Sequence, residues 1–260
     1  KSPGPDFEGV ISGHYDRYNT WGLTGILNTP VVKDKLFVRA MLNYEESDGF
    51  VKNVNPAGGR SDFQLTNMKL AARWLVTEKF TVDLSTYIMR EVSDGLPFFP
   101  ENKTLVDHDL PLSQQNDTNI FNLRMTYEAD GFQIHSVTGY IDTRRKYKDE
   151  LDFTSQSLIT QDILDTASSW SEELRVQSTN DGPVEWTFGG LYAEDRSDID
   201  HAVRAGTDGF FGLPNGFPID LVLEDNKTKS WAVFGQATWH LDQLSLTAGG
   251  RYSHDKVIEA

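Results

Sequence analysis

The stretch Leu244-Ser245-Leu246-Thr247-Ala248-Gly249-Gly250-Arg251-Tyr252-Ser253 decides the fold of this 260-residue chain. Its even positions are Leu, Leu, Ala, Gly and Tyr, and its odd positions are Ser, Thr, Gly, Arg and Ser. A strict period of two residues is typical of a β-strand that has one apolar face and one polar face. We therefore expect this stretch to lie in a sheet with two different environments on its two sides.

The same alternation recurs along the whole chain, while helical periodicity is scarce. Clear copies occupy residues 36–44, 68–74, 82–88 and 230–239, and weaker copies occupy 10–15, 21–27, 121–127, 132–140, 170–176 and 186–192. Counted together, they predict about eleven strands of roughly ten residues each.

The connections between these strands alternate in length after a first tight hairpin at 16–20. The short connections are 29–35, 77–79, 128–131, 179–183 and 240–243, and the long ones are 45–65, 91–117, 142–169 and 194–229. In an antiparallel meander, alternate connections lie at opposite ends of the sheet, so the short turns share one end and the long loops share the other. This asymmetry is typical of an outer-membrane barrel.

The composition has one feature that an acidic soluble protein does not explain. The chain has a formal net charge of −15, a mean hydropathy of −0.46 and no cysteine, yet 12% of its residues are aromatic, with six Trp. The missing cysteine excludes disulfides and thiolate metal sites, and the negative charge argues against a nucleic-acid partner. The Trp residues fall at or near predicted strand ends, where a barrel carries interfacial girdles. The alternative is ordinary core aromatics in a soluble β protein.

Several segments, in this order and spacing, resemble the TonB-dependent outer-membrane receptors. They are Lys1-Ser2-Pro3, residues 8–21, residues 30–39, Asp48-Gly49-Phe50-Val51-Lys52-Asn53, Ser136-Val137-Thr138-Gly139-Tyr140, residues 170–178, residues 231–237 and residues 244–252. The resemblance implies an all-β, antiparallel up-and-down transmembrane β-barrel, of which this chain supplies about 11 strands of 22. It assigns residues 1–7 to the end of the plug or linker and residues 8–260 to the N-terminal half of the barrel. The family's energy-coupling box, most of the plug and the terminal aromatic strand are not in this sequence.

The resemblance implies import of ferric siderophores or a similar scarce nutrient across the bacterial outer membrane, energised by the inner-membrane TonB complex. The expected ligand is a small molecule, an iron chelate that is cargo and no resident cofactor, and lipid and lipopolysaccharide are expected to surround the barrel. Two alternatives remain open: a passive porin-like channel, and a soluble all-β carbohydrate-binding or hydrolytic domain. No catalytic constellation stands out, since the sequence contains neither an HExxH nor a Gly-x-Ser-x-Gly motif. We expect no enzyme and no metal site.

Two groups of residues are the candidate binding residues. Phe98 and Phe99, with Phe210 and Phe211, form aromatic clusters in two long loops and are predicted to contact the ligand, or alternatively to pack on each other at the rim. The other group lies at the polar alternate positions of the predicted strands, where a charge is tolerated only if it faces water. Its members are Arg39, Arg73, Glu173 and Arg175. By resemblance, Glu173 corresponds to a barrel glutamate that pairs with plug arginines. The alternative is a structural charge ladder along the lumen.

Overall fold

The computed structural model describes residues 1–56, 62–94, 105–179 and 182–259, and within these ranges it contains thirteen β-strands and no α-helix. No helix in the described ranges is long and apolar enough to cross a membrane. The strands are β1 (Glu8–Tyr15), β2 (Trp21–Val32), β3 (Leu36–Ser47), β4 (Lys52–Asn53), β5 (Phe63–Thr77), β6 (Phe80–Ser93), β7 (Leu105–Val106), β8 (Ser113–Ala129), β9 (Phe132–Glu150), β10 (Ile159–Ser178), β11 (Val184–Ala205), β12 (Pro218–Leu241) and β13 (Leu244–Glu259).

Eleven of these strands form one sheet whose spatial order is the chain order, β1-β2-β3-β5-β6-β8-β9-β10-β11-β12-β13. Every neighbouring pair is antiparallel. The short strands β4 and β7 form a separate parallel pair. The predicted all-β meander of eleven strands is therefore confirmed. In the described residues the sheet does not close on itself, and β1 and β13 are its edges.

Strands β9 to β12 extend further toward the long loops than the sequence predicts. Strands β9 to β12 have 19, 20, 22 and 24 residues, so the predicted long connections at 142–169 and 194–229 shrink to the segments 151–158 and 206–217. Charged and polar residues occupy many positions on both faces of these extensions, so the period-two signal weakens although the backbone ladder continues. For example, Arg145 pairs with Asp165 across the β9–β10 ladder, and its Nε donates to Asp165 at 2.9 Å.

The two faces of the sheet differ as the alternation predicts. Leu70 on the apolar face keeps 51% of its surface exposed, whereas the next residue, Ala71, lies on the polar face and keeps 8%. A sheet face that exposes many leucine, valine and tryptophan side chains is typical of a barrel wall that lipid covers.

Aromatic rings line the apolar face in two bands. One band, nearer the loops, contains ring contacts between Trp21 and Tyr44, Trp170 and Tyr192, and Trp231 and Tyr252, with centroids 5.2, 5.7 and 5.5 Å apart. The other band, near the short turns, contains Trp74, Trp186 and Trp239. The expectation that all Trp lie near strand ends is wrong for Trp170 and Trp231, because their strands extend beyond the band into water.

Candidate functional site

Four segments at the loop end of the sheet are tied together, and we call residues 48–56, 105–112, 151–158 and 206–217 the loop layer. The first two segments meet through the β4–β7 pair and through the backbone hydrogen bond from Val54 N to Val106 O at 2.8 Å. Asn53 and His108 add a two-way contact: the Asn53 side chain donates to His108 O at 2.9 Å and accepts from His108 N at 3.1 Å. These contacts join loops that are far apart in sequence.

The last two segments of the loop layer meet through a close backbone approach at Gly206. Gly206 N donates to Leu158 O at 2.7 Å, and Asp208 N donates to Ser157 O at 2.9 Å. Ser157 N in turn donates to the Asp208 carboxylate at 2.9 Å. A Cβ at Gly206 would lie 2.2 Å from Ser157 O, so only glycine fits here.

Acidic side chains gather where the second and third segments meet. Glu150, at the end of β9, is 1% exposed, and its Oε1 lies 3.2 Å from Nδ1 of the buried His108. Burial, followed by the nearby Asp109 carboxyl, raises the pKa of Glu150 to about 8. Burial also lowers the pKa of His108, so the imidazole is neutral at pH 7 and does not neutralise the carboxylates. Three carboxyl groups, those of Asp109, Glu150 and Asp152, thus converge beside a neutral imidazole.

The predicted aromatic residues Phe210 and Phe211 form the tip of a tight turn. Leu213 N donates to Phe210 O at 2.9 Å, and both central residues have positive φ, 49° at Phe211 and 79° at Gly212. This is the arrangement of a type I′ turn, in which phenylalanine is an unfavourable residue. The two rings contact each other with centroids 4.4 Å apart, yet Phe211 remains 91% exposed. The predicted partners Phe98 and Phe99 lie outside the described residues.

The four charged residues that were predicted to line the lumen all lie on the polar face. Arg73 makes a bidentate pair with Asp83 at 2.6 and 3.1 Å, and Arg39 pairs with Glu8 at 3.2 Å. Glu173 and Arg175 lie two residues apart on the same face, and their charged atoms are 3.9 Å apart. The Nε of Arg175 is buried and has no hydrogen-bond acceptor among the described residues. Their contact with a plug stays a prediction.

The first residues of the chain lie across the polar face, and sequence reasoning missed the residue that holds them. Asn28 of β2 is 3% exposed; its side chain accepts from Gly4 N at 3.1 Å and donates to Gly4 O at 3.0 Å and to Asp6 O. Lys1 reaches Glu8 at 2.5 Å. A cleft of about 410 Å³ is lined by residues 1–3 and by β5, β6, β8 and β9. An asparagine at one of the polar alternate positions of a strand gives no local signal of this contact.

Glu172 is a second residue that sequence reasoning missed. It is a charged residue on the apolar face of the sheet. It pairs with Thr138 and Tyr192 on the apolar face, next to the aromatic band. The hydroxyls of Ser136, at 2.7 Å, and of Thr138 donate to its carboxylate. Two donors thus satisfy a charged group that hydrocarbon would otherwise exclude.

The whole chain has the fold of solved outer-membrane receptors. It matches the ferric yersiniabactin uptake receptor FyuA from Yersinia pestis with a TM-score of 0.78 at 14% identity, covering 100% of this chain and 44% of that one. It matches the ferric citrate transporter FecA with a TM-score of 0.72 at 12% identity, covering 100% and 39%. It matches BauA, the ferric preacinetobactin receptor from Acinetobacter baumannii, with a TM-score of 0.70 at 15% identity, covering 100% of this chain and 43% of that one. The chain thus spans less than half the length of these structures.

The family comparison covers most of the chain. Residues 90–258 match the model described as TonB dependent receptor-like, beta-barrel. The match includes β7 to β12 in full, the last four residues of β6 and most of β13, together with three of the four segments of the loop layer. Proteins of this family are outer-membrane β-barrels, which agrees with the apolar face and its two aromatic bands. The chain therefore belongs to the TonB-dependent receptor β-barrel family.

Proposed function

We propose that this chain is the N-terminal half of the barrel of an active outer-membrane receptor that imports a ferric siderophore or a similar iron chelate. The observation that carries the proposal is the family match over residues 90–258, supported by the common fold of ferric-ligand receptors. The iron chelate is cargo, and the protein needs no resident cofactor. The receptor is a transporter and carries out no catalysis.

The test of this proposal is uptake by cells. A strain that lacks the full-length receptor should lose growth on one defined ferric chelate under iron limitation, and the gene should restore it. Growth on ferric salts at high concentration is the control. Unaltered growth of the deletion strain on every ferric chelate in a broad panel would contradict the proposal.

We propose that transport is energised by the TonB complex, and the contact of Asn28 with the first residues supports this over a porin-like channel. A plugged barrel must connect its plug to β1, and a segment held across the polar face just before β1 fits that connection. Uptake of the radioactive chelate should therefore stop in cells without TonB. Equal uptake with and without TonB would favour the passive channel.

The exposed turn at Phe211 supports its proposed role in ligand contact. Keeping an aromatic residue in a left-handed conformation costs free energy of about 1 kcal/mol or more, and a strained, exposed residue is a reason to expect function. Phe211→Asn preserves the turn because asparagine tolerates positive φ. We expect this variant and Phe210→Ser to weaken chelate binding, measured by fluorescence quenching on the full-length receptor, by at least tenfold.

The control for this variant is Phe217→Ser, which removes an exposed aromatic ring from the same loop but away from the tip. It should bind the chelate as the unchanged receptor does. Unchanged affinity in Phe211→Asn, or equal losses in Phe211→Asn and Phe217→Ser, would contradict a specific role of the tip.

We propose lipopolysaccharide as the lipid neighbour on the loop side of the aromatic band. Lys227 and Lys229 both pair with Glu194, Lys229 at 3.7 Å, and the ladder places Lys256 opposite Lys229. The surplus of positive charge lies where lipid phosphates are expected. Lys229→Gln with Lys256→Gln should reduce co-purified lipopolysaccharide, whereas Lys33→Gln at the short-turn end should not. Equal amounts in all three proteins would contradict this assignment.

A further inference from the structure

Three carboxylates of the loop layer converge although they come from different parts of the chain. Asp109 precedes β8, Glu150 ends β9, and Asp152 lies in the segment 151–158; one oxygen of each lies within 4.8 Å of one oxygen of each of the others. Two oxygens bound to one calcium ion at 2.3–2.6 Å from it are at most about 5 Å apart. The spacing therefore allows the three carboxyl groups to share one cation.

Several buried polar atoms at this place lack a well-formed hydrogen bond. Of five such side-chain atoms in the described ranges, three meet here: Asp109 Oδ1, Glu150 Oε1 and His108 Nδ1, the last two 3.2 Å apart. The Glu150 side chain is 1% exposed, so water does not reach it freely. Buried polar atoms in native proteins nearly always have a partner, and a carboxylate oxygen without a donor is a good ligand for a cation.

Among the described residues, the basic side chain beside these carboxyl groups is His108, whose Nδ1 lies 3.2 Å from Glu150 Oε1. None of the ion pairs that Lys or Arg forms in these ranges involves Asp109, Glu150 or Asp152. Asp152 accepts four hydrogen bonds from its own loop: from Thr154 N and Oγ1, and from Leu158 N and Ile159 N. It adds fixed negative charge, while the free oxygens belong to Asp109 and Glu150.

We propose that Asp109, Glu150 and Asp152 bind a calcium ion that fixes the loop layer. Carboxylate oxygens favour hard cations, and calcium, which accepts flexible coordination, suits a site assembled from separate segments better than magnesium, which retains its waters and needs an octahedron. The ion joins the segment 105–112 to the segment 151–158. Through Asn53 and His108, the same tie extends to the segment 48–56.

The consequence is a calcium-dependent order of the loops above the barrel. Sites in extracellular proteins commonly bind calcium with dissociation constants of about 10⁻⁴–10⁻³ M, so this one should be filled at the cell surface and emptied by a chelator. Binding to the folded form alone stabilises that form. This site does not depend on which ligand the receptor imports, so it can fail or hold independently of the proposed transport.

The test is calcium binding by the full-length receptor in detergent after removal of divalent ions. Titration calorimetry should show one saturable calcium site more in the unchanged protein than in Asp109→Asn or Glu150→Gln. Asp107→Asn is the matched control, because it removes the same charge from an exposed position two residues from Asp109. It should keep the site.

Hydrogen exchange gives a second measurement that does not rely on the variants. Calcium should slow amide exchange at residues 105–112 and 150–158 of the unchanged receptor at least tenfold, with no change in the short turns. Equal calcium stoichiometry in the unchanged protein and in folded Asp109→Asn would overturn the proposal. A site that takes zinc but not calcium, or a loss that Asp107→Asn shares, would also overturn it.

Discussion

Replacement of Gly206 by alanine should disconnect two segments of the loop layer. The added Cβ would lie 2.2 Å from Ser157 O and 2.4 Å from Ser157 C, which are backbone atoms and cannot rotate away. A carbon atom and a carbonyl oxygen need about 3.3 Å, so the two segments must separate by about 1 Å. The hydrogen bond from Gly206 N to Leu158 O, now 2.7 Å, would then exceed bonding distance.

The magnitude follows from the contacts that depend on this approach. Three hydrogen bonds join Gly206 and Asp208 to Ser157 and Leu158. At about 1 kcal/mol each they contribute roughly 3 kcal/mol to the local stability of this contact. Since 1.4 kcal/mol is about a factor of ten, amide exchange at these positions should accelerate roughly 100-fold.

Hydrogen exchange with mass spectrometry on the full-length receptor measures this directly. Thr207→Ala is the control, because Thr207 is exposed and its alanine variant retains the backbone. We expect fast exchange at 157–158 and 206–208 in Gly206→Ala only, together with weaker ligand binding if the Phe211 tip depends on this support. Exchange in Gly206→Ala that equals the exchange in Thr207→Ala would refute the reasoning.

Three further predictions concern the wall of the barrel. Arg73→Gln and Asp83→Asn should show a measurable coupling of about 0.2–1 kcal/mol in a double-mutant cycle of denaturant unfolding, because both side chains are partly exposed; complete additivity would contradict the bidentate pair. Asn28→Ala should free the N-terminal segment at a cost of about 2 kcal/mol, seen as faster protease cleavage there, and unchanged cleavage would contradict it. Glu172→Gln should stabilise the receptor in lipid vesicles by about 1 kcal/mol, whereas Glu173→Gln on the wet face should not; equal effects would contradict the assignment of faces.

The strands and their faces could be predicted because the signal is local. Alternation in a stretch such as 244–253 depends only on neighbouring residues and on two different solvents, so eleven strands and their order followed from the sequence. The ends of β9 to β11 could not be predicted, because many charged and polar residues lie on both faces of their extensions. Residues such as Arg145 and Asp165 carry no alternation, although they pair across the ladder.

The candidate sites were predicted less completely, since they depend on contacts between distant segments. Phe210 and Phe211 stood out as an apolar cluster in a polar loop, but the strained turn that exposes Phe211 is visible only in the structure. The metal cluster was missed because Asp109 lies about forty residues from Glu150, and no spacing rule connects them. Glu172 was missed for the same reason, since its neighbours in sequence give no hint of the hydroxyls on β9.

The sequence alone determined the architecture: period-two alternation assigned one face to lipid and one to water, and the alternation of short and long connections separated the two ends. These are properties of neighbouring residues in contrasting solvents. Only the tertiary structure decided which loops meet, that Asn28 holds the N-terminal segment, and that Asp109, Glu150 and Asp152 share one place. Those contacts depend on the strand register, which brings together loops distant along the chain, and no local pattern encodes that distance.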